Sequence, residues 1–253
     1  MGKASLDNAL DRATARQDDG TRAIPGAAFV AIDTKKGLIY SKASGSRTLG
    51  AHGTNFALDG LCFIASMTKL ITSIAAMQAV ERGLIGLDDD VSNVLHEWKD
   101  AQVLDGFDKS GEPMLHKAKN KITLRSSEYM EKNIWGPLGM TSTTFNLEKN
   151  PSMQARRVDM SMRMPTGELE LLPAPVYPSP AQDDCGGIGG YSTAPDYMKL
   201  LSALLHADAK LLKSSSIDEM FEPQLPDSKY LQQVLKVPEM RNILAGNFPE
   251  GLK

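Results

Sequence analysis

The stretch that decides the fold is LCFIASMTKLITSIAAMQAVERGLIGLDDDV, residues 61–91. Its apolar start, Leu61–Ala65, leads directly into Ser66. From Ser66 to Arg82 the residues follow a helical pattern, and Gly83 is a typical residue just past a helix end. Apolar side chains lie on nearly every face of this helix, which predicts that it is buried.

The first turn of that helix contains the pattern Ser66-Met67-Thr68-Lys69. A serine hydroxyl is a poor nucleophile until a base takes its proton. A lysine three residues later lies on the same helix face, so its amine can reach the serine oxygen. Burial and the positive helix N-terminus would both disfavour an ammonium ion there. The backbone N–H of Ser66 is a candidate oxyanion-hole donor.

The spacing alone is a weak signal, because a chain of ordinary composition contains about one Ser-x-x-Lys pattern by chance. The alternative is a surface serine at a helix start with a solvated lysine. Here the pattern occurs once, after an apolar run and at the start of a buried helix. This context favours a catalytic site over the surface alternative.

The flanking segments mix strand and helix patterns. A polar connection, Asp33–Lys36, joins two short apolar runs and predicts an antiparallel hairpin. Further along, Thr193 precedes Pro195 and Asp196, which predicts a helix capped by threonine. The remaining predictions are a helix over 4–19, a short helix over 91–97, an exposed loop over 99–121, an irregular stretch over 146–184 and a glycine loop over 186–190.

Composition excludes several classes of function. The chain has 253 residues, is 42% apolar and has a net charge of −3, with no basic stripe, so nucleic acid is not an expected partner. No apolar stretch is long enough to span a membrane, and the N-terminal residues lack a secretory pattern. Two cysteines fit a reducing compartment, and we expect a cytoplasmic protein. Four scattered histidines lack metal-ligand spacing, so no metal is expected. A serine nucleophile with a lysine base needs no organic cofactor, so none is expected.

The Ser66 region resembles the nucleophile region of class C β-lactamases and related esterases. Three further stretches resemble fungal transesterases of the lovastatin acyltransferase type, which transfer acyl groups in polyketide biosynthesis. These stretches are VLDGFDKSGEPMLHKAKNKITLR (103–125), EYMEKNIWGPLGMTSTTF (128–145) and CGGIGGYSTAPDYMKLL (185–201). The resemblance covers roughly residues 25–253, and its motifs together are specific.

The resemblance implies roles for individual residues. Ser66 would form the acyl ester, Lys69 would be its base, and Tyr177 falls where the family has a tyrosine near the acyl acceptor. Two departures stand out. The family has a long segment with a catalytic tyrosine where Arg125 here meets Ser126, and it continues beyond Lys253 into strands with the second oxyanion donor.

Two other tyrosines are poor substitutes for the missing one. Tyr129 belongs to the helix after the gap, so we expect it to be a packing residue. Tyr191 belongs to the glycine-loop region. The Lys109-Ser110-Gly111 sequence mimics a β-lactamase motif, but its polar, glycine- and proline-containing surroundings predict a turn.

The resemblance implies an α/β, β-lactamase/transpeptidase-like fold, with an antiparallel sheet flanked by helices and a helical subdomain. We expect one incomplete domain over 1–253. Its sheet side would comprise about 20–72 and 185–253, and its helical part about 73–184.

Three functions follow. The first is a serine acyltransferase or esterase of secondary metabolism, acting through an acyl-serine on a small-molecule acyl donor and an alcohol acceptor. An acyl carrier protein is an alternative donor. The second is a truncated, non-catalytic relic or binding protein of the same fold, which the two departures favour for actual turnover. The third is a β-lactamase or penicillin-binding peptidase, against which the lack of a secretory pattern argues.

Overall fold

The computed structural model describes residues 2–17, 21–50, 53–93, 102–117, 127–172, 184–224, 229–237 and 240. The chain divides into two compact units, residues 1–216 and residues 217–253. The nucleophile region, the glycine loop and every described strand belong to the first unit. The prediction of one domain over 1–253, with its sheet and helical parts, stays a prediction.

The described strands are β1 (Gly26–Asp33), β2 (Gly37–Gly45), β3 (Cys62–Phe63), β4 (Gln102–Phe107), β5 (Pro113–Lys117), β6 (Ser161–Arg163), β7 (Leu169–Leu171) and β8 (Tyr191–Ser192). The α-helices are α1 (Lys3–Thr14), α2 (Thr68–Glu81), α3 (Ser127–Met130), α4 (Gly136–Leu138), α5 (Pro151–Gln154), α6 (Ala194–Leu205), α7 (Ser214–Phe221) and α8 (Lys229–Leu235). Turns of 3₁₀-helix cover Ala65–Met67, Val91–Asn93 and Leu147–Lys149, and a π-helical turn covers Glu131–Trp135.

The predicted N-terminal hairpin is confirmed. Strands β1 and β2 pair antiparallel, with Gly26 opposite Gly45. In the connecting turn the Asp33 carboxylate accepts hydrogen bonds from the backbone N–H groups of Lys35 and Lys36, at 2.9 and 2.8 Å. Helix α1 packs against β2, and helix α6 packs against β1. Helices therefore flank the hairpin, as the fold class requires.

Helix α2 begins two residues later than predicted and ends at Glu81, one residue before the predicted end at Arg82. Ser66 lies in the 3₁₀ turn, and the α-helix starts at Thr68. Gly83 follows the helix end with a φ of +68°, a backbone conformation that glycine adopts without strain. Half of the helix is buried rather than nearly all of it; the buried residues are Thr68, Ile71, Ile74, Ala75, Met77, Gln78 and Ala79.

The strands of the described residues pair two by two, all antiparallel. The β3–β8 pair is the one that builds the candidate site. It places Cys62 opposite Ser192 and Phe63 opposite Tyr191. The Tyr191 ring packs on Phe63, with ring centroids 5.3 Å apart, and belongs to a buried cluster with Leu61. This cluster covers a pairing too short to be stable by itself.

Two predicted irregular regions contain hairpins. Strands β4 and β5 lie inside the segment predicted as an exposed loop over 99–121, and β6 and β7 lie inside the irregular stretch over 146–184. In the first hairpin the Asp108 carboxylate accepts three hydrogen bonds from Ser110 and Glu112 and forms a tight turn. The polar residues of this turn favoured the prediction of a loop, so the two strands on either side of it were not predicted. The prediction that Lys109-Ser110-Gly111 is a turn is confirmed.

Two predicted helix starts have different outcomes. The Thr193 side chain accepts a hydrogen bond from the Asp196 backbone N–H at 3.3 Å, and α6 follows as predicted. The helix predicted over 91–97 is a single 3₁₀ turn at Val91–Asn93, and residues 94–97 lie outside the described residues.

Within the part of the chain that the structure describes, no helix combines the length and apolarity needed to cross a membrane.

Helix α1 covers Lys3–Thr14, so the predicted helix over 4–19 is wrong at residues 15–17, while residues 18 and 19 lie outside the described residues. Polar contacts connect α1 to β2. The Asp11 carboxylate accepts hydrogen bonds from Lys42 Nζ and Ser44 Oγ, each at 2.7 Å. The Tyr40 hydroxyl donates to the Asp7 carboxylate at 2.7 Å. The Lys42 hydrogen bond, followed by that from Ser44, lowers the pKa of Asp11.

This contact predicts a specific acid sensitivity. A carboxyl group with a pKa lowered by folding stabilises the folded state above its unfolded pKa, and that contribution is lost as the pH falls through the folded value. We expect the melting temperature of the wild type to fall more steeply below about pH 4 than that of Asp11→Asn. Thermal unfolding from about pH 6 to pH 3 measures this. Lys42→Met should lose part of the same slope, and equal slopes in all three proteins would contradict the prediction.

Candidate acyl-transfer site

A strained turn presents Ser66 at the start of α2. Ala65 has a φ of +45°, in the left-handed region that residues other than glycine seldom adopt. Two hydrogen bonds hold the turn from outside the helix. The Ile64 backbone N–H donates to the Gly190 carbonyl at 2.9 Å, and the Tyr197 hydroxyl donates to the Met67 carbonyl at 2.9 Å. The surrounding structure therefore fixes a backbone conformation that the local sequence would not choose.

The structure brings together the two residues predicted to do the chemistry. Lys69 Nζ lies 3.0 Å from Ser66 Oγ, within hydrogen-bonding distance. The spacing explains the approach, because side chains three residues apart are neighbours on a helix surface. Their roles as base and nucleophile stay predictions, since a hydrogen bond alone does not establish chemistry.

The lysine has a second partner that the sequence did not indicate. Lys69 Nζ donates to the Gly187 carbonyl at 2.7 Å. As an ammonium ion it donates to both oxygens. After losing one proton it can still donate to Gly187 while its lone pair faces the Ser66 hydroxyl. The arrangement thus fits both protonation states that a general base passes through.

One sequence-based expectation is wrong. Ser66 and Lys69 are both exposed, not buried. The burial that the sequence predicted around Lys69 is therefore not observed. The Ser66 backbone N–H has no hydrogen-bond acceptor among the described residues, so it meets one requirement of an oxyanion-hole donor.

The glycine loop, Gly186–Gly190, lies against the first two turns of α2. Thr72 Oγ1 donates to the Gly186 carbonyl at 2.6 Å, and the Gly190 N–H donates to Thr68 Oγ1 at 3.1 Å. A Cβ atom at Gly186 would lie 2.8 Å from Thr72 Oγ1, and one at Gly190 would lie 2.9 Å from Thr68 Oγ1. Glycine at these two positions is therefore required by the close approach of loop and helix.

The other candidate residues have separate surroundings or lie outside the described residues. Tyr177 falls in 173–183, which the structure does not describe. The Arg82 guanidinium lies 5.1 Å from the Tyr129 ring centroid, and burial raises the pKa of Tyr129. These contacts fit the predicted packing role. Burial also raises the pKa of Cys62, as for an unreactive core thiol.

No cluster of three or more metal-ligating side chains occurs among the residues that the structure describes. Both cysteines are free thiols. Among the described residues, the contacts around Ser66 come from Lys69, from the hydroxyls of Thr68 and Thr72 and from backbone groups of the glycine loop. Sequence reasoning missed Gly187, Thr68 and Thr72, because their contributions depend on two segments more than 100 residues apart in the chain.

Comparison with known proteins places this geometry in a family. The beta-lactamase family model matches residues 11–126 and 125–234, and the chain belongs to that family. This confirms the β-lactamase/transpeptidase-like fold. The two matches meet at Arg125–Ser126, the junction where the sequence predicts that a family segment is missing.

Among curated proteins the chain is similar to fungal enzymes. It is 29% identical to the acyltransferase mokF of Monascus pilosus and to the monacolin J acid methylbutanoyltransferase of Aspergillus terreus. Each alignment has 281 positions and covers 81% of this chain and 68% of the relative. A lovastatin esterase of Penicillium rubens is 27% identical, with coverages of 81% and 70%.

Solved structures of related proteins are also similar to this chain. A mutant of simvastatin synthase from Aspergillus terreus matches with a TM-score of 0.84 at 28% identity, covering 94% of this chain and 76% of that one. A penicillin-binding protein homologue from Pyrococcus abyssi matches with a TM-score of 0.64 at 19% identity, covering 89% and 62%. The second likeness shows the shared fold alone. Together the comparisons confirm the resemblance to acyltransferases of the lovastatin type.

The glycine loop predicts contrasting effects of two similar substitutions. Gly190→Ala places a methyl group 2.9 Å from Thr68 Oγ1 and 3.1 Å from Ile64, so it should cost about 1–3 kcal/mol of stability. A methyl at Gly187 has no described neighbour closer than Lys69 Nζ at 3.8 Å, so Gly187→Ala should change stability by less than about 1 kcal/mol. Denaturant unfolding measures both. Equal losses in the two variants would contradict the described loop packing.

Proposed function

We propose that this chain is a serine acyltransferase or esterase that acts through an acyl-Ser66 intermediate, with Lys69 as the base. The observation that carries the proposal is the 3.0 Å contact between Lys69 Nζ and Ser66 Oγ. The likeness to a methylbutanoyltransferase and to an esterase of the same family supports the reaction class.

In the acylation half-reaction Lys69, as the neutral amine, accepts the Ser66 hydroxyl proton. Ser66 Oγ forms a bond to the acyl carbon of the donor, and the carbonyl oxygen becomes an oxyanion. The Ser66 backbone N–H is the proposed donor to that oxyanion. The tetrahedral intermediate then collapses. The bond to the leaving group breaks, Lys69 returns the proton to the leaving group, and the acyl ester on Ser66 remains.

Deacylation repeats these steps with another nucleophile. Lys69 accepts the proton of an alcohol or of water, and the new oxygen attacks the ester carbon. The bond from carbon to Ser66 Oγ breaks, and the proton returns to Ser66. An alcohol acceptor makes the protein a transferase, and water makes it an esterase. No electron transfer is involved, so the chemistry needs no redox cofactor.

The substrate class follows from the relatives rather than from the described residues. We propose a small-molecule activated acyl donor and an alcohol acceptor of secondary metabolism, because two relatives are methylbutanoyltransferases acting on monacolin J acid and ML-236A carboxylate. An acyl carrier protein as donor and Tyr177 near the acceptor are proposals that rest on the resemblance. The cytoplasm is the proposed location, and the two free thiols fit a reducing compartment.

A second candidate is a non-catalytic relic or binding protein of the same fold. The two-part match of the family model, which meets at residues 125 and 126, favours it. The alignments to relatives run over 281 positions yet cover only 81% of the 253 residues, so the relatives have additional residues inside the aligned region. The resemblance places a catalytic tyrosine in that additional segment.

Ser66 should be the only serine that an acylating probe labels. A fluorophosphonate should modify wild-type protein at Ser66, and Ser66→Ala should abolish labelling and p-nitrophenyl ester hydrolysis. Lys69→Ala should reduce both by about 10²–10⁴-fold, and the double variant should be no worse than Ser66→Ala. Mass spectrometry locates the label.

Matched controls come from exposed positions of the same chain. Ser73 is an exposed serine on the same helix, and Lys132 is an exposed lysine elsewhere. Ser73→Ala and Lys132→Ala should label at the wild-type rate. A label on another serine with Ser66 unmodified would remove the assignment.

Turnover separates the enzyme from the relic. With a p-nitrophenyl ester we expect a burst of about one product per chain followed by slow turnover, because the tyrosine implied by the resemblance is absent. A chimera that receives the corresponding segment of the Aspergillus terreus relative between Arg125 and Ser126 should turn over about 10²–10⁴-fold faster. Stopped-flow absorbance measures burst and steady state. Equal kcat in both proteins would show that Lys69 manages the proton transfers alone.

A further inference from the structure

The contacts between α2 and the glycine loop form a continuous chain that ends at the lysine. The Thr72 hydroxyl donates to the carbonyl of Gly186 at 2.6 Å. The next carbonyl, that of Gly187, accepts the hydrogen bond from Lys69 Nζ at 2.7 Å. Lys69 Nζ lies 3.0 Å from Ser66 Oγ. The carbonyl that accepts from Thr72 and the carbonyl that accepts from Lys69 therefore belong to consecutive residues, Gly186 and Gly187.

Helix periodicity places these three side chains on one face. Ser66, Lys69 and Thr72 follow at intervals of three residues, which keeps successive side chains adjacent on a helix surface. The Ser-x-x-Lys pattern thus extends by one further step. Its third member contacts the loop rather than the nucleophile.

We propose that Thr72 is a positioning residue of the acylation site, whose hydroxyl fixes the Gly186–Gly187 backbone so that the Gly187 carbonyl aims the Lys69 amine at Ser66. The inference rests on the proposed function, because it assigns Thr72 a role in that same reaction. Thr72 acts through the loop and does not touch the reacting atoms.

The hydrogen bonds of the Thr72 hydroxyl favour contact with the glycine loop over contact within its own helix. Its hydroxyl has two described acceptors, the Gly186 carbonyl at 2.6 Å and the Thr68 carbonyl of its own helix at 3.3 Å. The shorter bond goes to the loop. A Cβ atom at Gly186 would lie 2.8 Å from the same hydroxyl, so the loop reaches this distance only because residue 186 is glycine.

Thr68 fixes the other end of the loop but is a less informative target. It accepts from the Gly190 N–H at 3.1 Å and donates to the Ala65 carbonyl at 2.6 Å, so it also holds the strained turn of the nucleophile. Its removal would disturb Ser66 directly. Thr72 is half-buried and has no described contact with that turn, so its substitution isolates the effect of the loop on Lys69.

A positioned lysine matters because small displacements of a reacting group are costly. A shift of about 1 Å can slow an enzyme about 10²-fold. Without the Thr72 hydroxyl the Gly186–Gly187 peptide gains rotational freedom, and the Gly187 carbonyl no longer aims the lysine at one point. The rate of Ser66 acylation should fall, while the affinity for the acyl donor should not change.

The experiment compares Thr72→Val, which keeps the shape and removes the hydroxyl, with Thr72→Ser, which keeps the hydroxyl. The control is Thr14→Val, because Thr14 also donates to a carbonyl, that of Leu10 at 3.0 Å, but lies on α1. The burst rate constant of a p-nitrophenyl ester is measured against ester concentration for each protein. We expect Thr72→Val to lower the saturating rate constant about 10-fold or more with an unchanged half-saturating concentration.

Three further results complete the test. Thr72→Ser should restore the wild-type rate constant to within about 2-fold, and Thr14→Val should not change it, whatever either does to the melting temperature. An unchanged rate constant in Thr72→Val, or a loss that Thr72→Ser does not restore, would overturn the positioning role. A wild-type protein that gives no acyl-Ser66 would instead overturn the proposed function, so the two failures are distinguishable.

Discussion

The antiparallel pairing of Cys62–Phe63 with Tyr191–Ser192 is the interaction on which the candidate site depends. The hydrogen bond from Ile64 N–H to the Gly190 carbonyl continues this pairing toward α2. Two-residue strands cannot hold such a contact alone. Tyr191 anchors it, because its ring is buried with Leu61 and Leu147 in one apolar cluster. Packing at this cluster thus sets the distance between a helix start and a glycine loop that are distant in sequence.

The same contacts explain how the strained backbone before Ser66 is maintained. A residue other than glycine in the left-handed region costs about 1–2 kcal/mol, and Ala65 occupies it directly before Ser66. The Thr68 hydroxyl bonds the Ala65 carbonyl at 2.6 Å, and the Tyr197 hydroxyl bonds the Met67 carbonyl at 2.9 Å. Each bond is worth about 1 kcal/mol, so together they offset the strain. The surrounding hydrogen bonds therefore maintain a turn that the local sequence would not favour, and this turn presents Ser66 at the surface.

Features that a local pattern controls could be predicted from the sequence. The Thr193 cap and the contact between Ser66 and Lys69 each depend on residues within one helical turn. The strands inside 99–121 were missed because a polar turn interrupts them and the strand signal is short on either side. Every residue has a backbone carbonyl, so nothing in the sequence marks that of Gly187 as the partner of Lys69. The Gly187 carbonyl lies beside Lys69 because β3 pairs with β8, and this pairing joins two segments that are distant in sequence.

The hydrogen-bond partners of Lys69 differ in charge from those of Lys42. Lys42 contacts the carboxylates of Asp11 and Asp7, and the hydrogen bond to Asp11 is the main cause that raises the pKa of Lys42. A carboxylate stabilises the ammonium form and so opposes loss of its proton. Lys69 is bonded instead to a hydroxyl and a backbone carbonyl, and it has no ion pair with any described residue. Both of these acceptors are uncharged, and both lie within 3.0 Å of the Lys69 amine. The Gly187 carbonyl of the glycine loop thus gives the Lys69 side chain an uncharged acceptor that fixes its direction.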